Sequence, residues 1–282
     1  MSSSPMTARQ RSRAVFYLPF VYFISTRLGG KAAILSWIMI YPVALLVSVA
    51  PDLGGANALP AMLLAMLATY SLYELGYMDN DTRTVRGEIS PTERLDTGEK
   101  DYFGRMGWLI FAVRLVVVVA ACSSIAALSC GTPDGRMAFF AGLGVIAIVF
   151  PLYNSLRGRA NLPLHFVLVV CRFCLPGMVV TTHGFAEYLG MTVAAFPFIN
   201  LLERAGESRY GLSLFAPLLT FKARVRVIYY LILTAAATAI WISTDDGGAA
   251  LILMVYFLVY RLVSPMIFKH TSGNAIARAD LS

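Results

Sequence analysis

Tyr73-Glu74-Leu75-Gly76-Tyr77-Met78-Asp79-Asn80-Asp81-Thr82-Arg83-Thr84-Val85-Arg86-Gly87-Glu88-Ile89-Ser90-Pro91-Thr92-Glu93-Arg94 is the stretch where a long apolar run gives way to a charged loop. Acids, an amide and arginines crowd the end of a segment otherwise suited to lipid. Ionisable groups beside a membrane helix are costly unless they pair or bind something. Carboxylates with arginines are the groups that hold a metal-bound diphosphate.

The rest of the chain makes that setting a membrane. Of its 282 residues, 58% are hydrophobic and 14% charged, against about 25% charged in a soluble domain. Apolar runs predict eight spans, near 33–50, 58–78, 106–128, 136–155, 164–184, 187–202, 224–243 and 249–268. Residues 14–26, aromatic but too short to span easily, read as an interfacial helix. The expected fold is all-α, a polytopic helical bundle in a single transmembrane domain. It has a tail and interfacial helix over 1–32, the bundle over 33–268 and a cytoplasmic tail over 269–282. The basic N-terminus lacks the pattern of a cleaved signal peptide.

Charge orients the bundle. Of the 23 Lys and Arg, this layout puts 19 on one side, three inside spans (Arg114, Arg172, Arg261), and only Arg136 on the other side. The positive-inside rule then places both termini and the loops after spans 2, 4 and 6 in the cytoplasm, as for an inner or plasma membrane protein. The net charge of +7 is a topology signal, with some attraction to lipid headgroups or phosphates. It does not point to nucleic acid. Cys171 and Cys174, three apart on one helix, read as small apolar core residues.

Three polar clusters fall on that cytoplasmic side. Glu74, Tyr77 and Asp81 share a helix face by their i, i+3, i+7 spacing, with Asn80 at the helix mouth. Glu203 and Glu207 are i, i+4 at the end of span 6, and Tyr153-Asn-Ser-Leu-Arg157 ends span 4. Hard oxygen ligands from two sides suit magnesium shared with a phosphorylated substrate. Arginines bind phosphate oxygens bidentately. Glu74 lies inside the apolar run, where pairing with Arg114 or Arg172 is the competing reading; for Arg114 a structural pairing is expected.

At these residues the chain resembles the UbiA superfamily of intramembrane prenyltransferases. That family carries Asn-Asp-x-x-Asp-x-x-x-Asp after helix 2, often with Pro-x-x-Arg following, and Asp-x-x-x-Asp after helix 6. Here the first motif reads Asn80-Asp81-x-x-Thr84-x-x-x-Glu88 with Pro91-Thr-Glu-Arg94, and the second reads Glu203-x-x-x-Glu207. Gly206 and Gly211 are placed as in many members, and Tyr153-x-x-x-Arg157 is similar to the tyrosine and basic residue after helix 4. Thr84 replaces the middle acid, three other acids are Glu, and eight spans stand where nine are usual.

The resemblance implies a Mg2+-dependent transferase that displaces diphosphate and uses a polyprenyl diphosphate or polyprenyl phosphate lipid. Asn80, Asp81, Glu88, Glu203 and Glu207 would hold the metal, with Asp81 and Glu207 catalytic. Tyr77, Arg86, Arg94, Tyr153, Arg157, Arg172 and Arg209 would bind substrate. Prenyl transfer to an aromatic or other polar acceptor is the expected reaction. Phosphoribosyl transfer onto polyprenyl phosphate is the alternative, favoured by extra arginines (Arg83, Arg86, Arg159, Arg209). A non-catalytic lipid-binding or scaffold protein is the third reading.

Overall fold

The computed structural model describes residues 12–84, 92–156, 158–182, 184–244 and 247–268, and among them there is no strand. Twelve α-helices follow in order: α1 (Val21–Arg27), α2 (Lys31–Ile38), α3 (Ala44–Ser48), α4 (Ala58–Thr82), α5 (Thr97–Leu128), α6 (Pro133–Ser155), α7 (Asn161–Met178), α8 (Phe185–Ala195), α9 (Pro197–Ala205), α10 (Ala216–Thr220), α11 (Lys222–Thr244) and α12 (Gly248–Phe268). Among the described residues, seven helical segments are long and apolar enough to cross a membrane, and an eighth is counted if the bent α8–α9 pair is one span. These are the dimensions of a multi-pass membrane protein.

Local chemistry sets the breaks. Pro42 has no N–H to donate, and a π turn over Met39–Val43 carries the first span past it from α2 into α3. Pro197 likewise cannot continue α8, and the chain bends by 42° into α9. The segment expected as the sixth span is therefore bent. The third starts at Thr97, about two turns before the apolar pattern begins, because Asp96 and Glu99 form a reciprocal capping box. Its first turns carry charge and extend beyond the apolar stretch. The 79–105 loop expected from the sequence is correspondingly shorter, with α4 running to Thr82.

α4 is the centre of the bundle: 61% of its apolar window is buried, against 17% for α11 at the periphery. Gly76 lets α6 come close, since a Cβ there would run into the Phe150 ring. Outward-facing Trp108, Val116, Ile148, Ile232 and Ile242 are exposed, as a lipid-facing surface requires.

Residues 14–26 do not form one interfacial helix. A 3-10 turn over Arg13–Phe16 and the short α1 flank an irregular bend, and Val15, Phe16, Tyr22 and Phe23 are buried. Phe20 sits in the left-handed region at φ 69°. Glu74 and Arg114 hold this bend. Glu74 accepts hydrogen bonds from the backbone N–H groups of Phe20 (3.1 Å) and Phe23 (2.7 Å). Arg114 donates to Glu74 (2.6 Å) and to the carbonyls of Phe16 (3.0 Å) and Leu18 (3.1 Å). Both side chains are fully buried. Non-helical backbone among apolar helices must be satisfied by protein groups, and this ion pair does that. Glu74 thus serves the fold, paired with Arg114.

Candidate functional site

Asp81 ends α4 with 1% of its surface exposed. Oδ1 accepts from Arg27 (3.0 Å) and Arg94 (3.4 Å), and Oδ2 accepts from Arg27 (2.9 Å) and the Tyr22 hydroxyl (2.8 Å). Partial burial pulls the Arg94 pKa below its usual value, the Arg27 charge adds to this, and Asp81 opposes both. Asn80 Oδ1 accepts from the Thr84 hydroxyl at 2.8 Å, and Asp79 takes Arg83 (2.5 Å) and the Asn154 amide (2.9 Å).

An aromatic seam runs from this end into the bundle. The Arg27 guanidinium lies over the Tyr77 ring, 4.4 Å from its centroid, and Arg172 donates to the Tyr77 hydroxyl at 3.0 Å. Arg172 also faces the Tyr73 ring at 5.2 Å. Tyr77 packs edge-on against Phe150 (5.5 Å), and Phe150 against Tyr153 (6.0 Å). Arg204 then donates to the Tyr153 hydroxyl at 2.9 Å and to Tyr210 at 3.3 Å. The His165 ring, bonded to Asn200 at 3.0 Å, lies 6.0 Å from Tyr153, within electrostatic reach of Arg204, Arg172 and Arg209. Arginines from the N-terminal segment, α7 and α9 thus meet one line of rings on α4 and α6.

The acids of the second motif are also engaged. Glu203, buried, takes Arg226 of α11 in a fork, with Oε1 at 2.5 Å and Oε2 at 2.7 Å, and Lys222 at 3.4 Å. Glu207 faces Arg209 (2.6 Å) and Arg204 (3.7 Å). Arg209 itself stacks on Tyr210 at 4.9 Å.

Of the residues singled out in the sequence, Tyr77, Asp81, Arg94 and Arg172 come together around the end of α4, and Tyr153, Glu207 and Arg209 gather about Arg204. The seam of rings connects the two groups. Glu203 turns away to α11, and Asn80 bonds within its own helix end. Arg86, Glu88 and Arg157 lie outside the described residues. Sequence reasoning missed Tyr22, Arg27, Arg204, Lys222, Arg226 and the His165–Asn200 pair. Arg27 carried one usable signal, a lone cation closing an aromatic run.

Magnesium needs near-octahedral oxygen donors at about 2.0–2.1 Å. The described residues do not provide them. Each of Asp81, Glu203 and Glu207 already faces two cations, and the Asn80 oxygen accepts from the Thr84 hydroxyl. Among the described residues, no group of three or more His, Cys, Asp or Glu is placed to hold a metal ion.

The fold and site define a multi-pass helical membrane protein with an arginine- and tyrosine-lined polar cluster at one end of its central helix. No family model, curated protein or solved structure matches the chain.

Proposed function

We propose that this protein is a membrane transferase that acts on a polyprenyl lipid and displaces diphosphate, with both termini and the site facing the cytoplasm. The observation that carries the reading is the convergence of Arg27, Arg172 and Arg204 on the Tyr77–Phe150–Tyr153 seam. Guanidinium groups match phosphate oxygens in fork geometry, and they are stronger partners where water is excluded. The rings behind them offer an apolar wall for an isoprenoid chain. In the reaction, the carbon–oxygen bond of the donor breaks, its electron pair leaves with the diphosphate, and a polar or aromatic acceptor takes the carbon and releases a proton to water. Arginines aimed at the leaving group stabilise the charge that develops there. The UbiA-like spacing of the two motifs in the sequence supports the same reading.

A second reading draws on the engaged acids: a non-catalytic protein that holds a prenyl phosphate. Incubating the purified full chain with labelled prenyl diphosphates, or with labelled phosphoribosyl diphosphate plus polyprenyl phosphate, separates these. Labelled lipid product from the first mixture is expected. Product from the second alone transfers the assignment to a phosphoribosyl donor. Binding without product in either leaves the non-catalytic role.

A further inference from the structure

Resting on that reading of the site, we propose that the chain binds its diphosphate directly through guanidinium groups, with no metal ion between protein and phosphate. Arg27 is the pivotal residue. The argument starts from the carboxylates. Both oxygens of Asp81 face Arg27 within 3.0 Å, Arg94 approaches Oδ1 at 3.4 Å, and Tyr22 takes Oδ2. Glu203 spends both oxygens on Arg226, with Lys222 beside it. Glu207 faces Arg209 and Arg204. Among the described residues, Asp81, Glu203 and Glu207 are each paired with two cations.

A divalent ion at any of these carboxylates would have to approach an oxygen already in contact with a guanidinium. The guanidinium charge then opposes the ion and offsets part of what one shared carboxylate contributes. An anion meets the opposite situation. Arg27 already stands between Asp81 and the face of Tyr77, and Arg172 is on that tyrosine's hydroxyl. A diphosphate placed beside Tyr77 takes Arg27 and Arg172 as direct donors, while Asp81 remains the counter-ion that positions Arg27. Thr84, where the resemblance expects an acid, fits the same economy. Its side chain brings no charge to that position, and its hydroxyl donates to the Asn80 Oδ1.

The test uses the purified full chain in detergent and follows its thermal unfolding midpoint, which rises when a ligand binds only the folded state. Farnesyl diphosphate and inorganic diphosphate are the probes, each with EDTA or with excess Mg2+. The expected result is the same upward shift with farnesyl diphosphate in both conditions. Arg27→Gln should weaken the apparent affinity by about tenfold or more, the loss of a charge-assisted hydrogen bond. Arg105→Gln, exposed on α5, should leave it unchanged. A shift that appears only with Mg2+ overturns direct binding and leaves the transferase reading standing. Full affinity in Arg27→Gln, with the shift still metal-independent, removes Arg27 from the site. No shift with either probe in either condition overturns the diphosphate site itself, and the transferase reading with it.

Discussion

Asp81 and Glu203 occupy matching places in the sequence, each the first acid of a motif at the end of a span, and the structure gives them different work. Both are nearly fully buried and both face two cations. The partners of Asp81 come from the chain before α2 and from the loop before α5, beside the aromatic seam. The partners of Glu203 come from α11, the least buried of the seven span-length segments. Glu203 is therefore a brace that ties a peripheral span to α9. Asp81 orients Arg27 over Tyr77. The difference teaches that the role of a buried acid follows from which elements supply its counter-ions.

The largest effect that separates the two is expected at Glu203. Glu203→Gln leaves Arg226 buried opposite a neutral amide, and breaking one side of such a pair costs about 3–5 kcal/mol. A sharp drop in thermal unfolding midpoint and in folded yield should follow. The double change Glu203→Leu with Arg226→Met removes both charges and should recover most of that loss. If the double variant stays as unstable as the single, Glu203 is not acting as half of a brace.

Asp81→Asn should cost less, about 3 kcal/mol, the low end of the range for a broken buried pair. The amide oxygen still accepts from Tyr22, and Arg27 retains the Tyr77 face. Equal destabilisation at the two positions, measured side by side in one detergent, would erase the distinction. A packing change at the same end gives a third reference. Gly76→Val pushes side-chain atoms into Phe150, and overpacking of this kind costs about 1–3 kcal/mol. It also displaces the seam at Tyr77 and Tyr153, so binding of a prenyl diphosphate should fall further than stability does.

What the sequence made legible was hydropathy and helix-end chemistry. Apolar runs located every span-length helix, because burial in lipid demands a contiguous apolar stretch. They misplaced the start of α5 because its first turns, from Thr97, are charged and capped, and capping is a local signal that hydropathy ignores. They did not show the bend within 187–202, because the break at Pro197 leaves average hydropathy unchanged. The Glu74–Arg114 pairing was readable, since two mid-span charges need each other. The partners of Asp81 and Glu203 were not. Arg27 lies 54 residues from Asp81 and Arg226 lies 23 from Glu203, and nothing in spacing alone joins them. Tertiary packing decides such pairings.

The smallest effect should come from Glu207, which completes the comparison from the solvent side. Its side chain is 21% exposed and its closer partner Arg209 is 53% exposed. Exposed pairs of this kind are worth about 0–1 kcal/mol and are screened by salt. Glu207→Gln should therefore leave the unfolding midpoint nearly unchanged, and raising ionic strength should reduce even that small difference. The Glu203 variant should keep its deficit at high salt, because its ion pair is shielded from the counter-ions that do the screening. The consequence for function is separate from stability. Arg204, shared between Glu207 and the Tyr153 hydroxyl, loses a competitor for its charge when Glu207 is neutralised. An anionic ligand at the seam should then bind as well as before or more tightly. A metal-bridged ligand would instead lose one of its carboxylate anchors. A measured loss of prenyl diphosphate affinity in Glu207→Gln, with stability intact, would therefore count Glu207 among metal ligands and separate it from Glu203 for good.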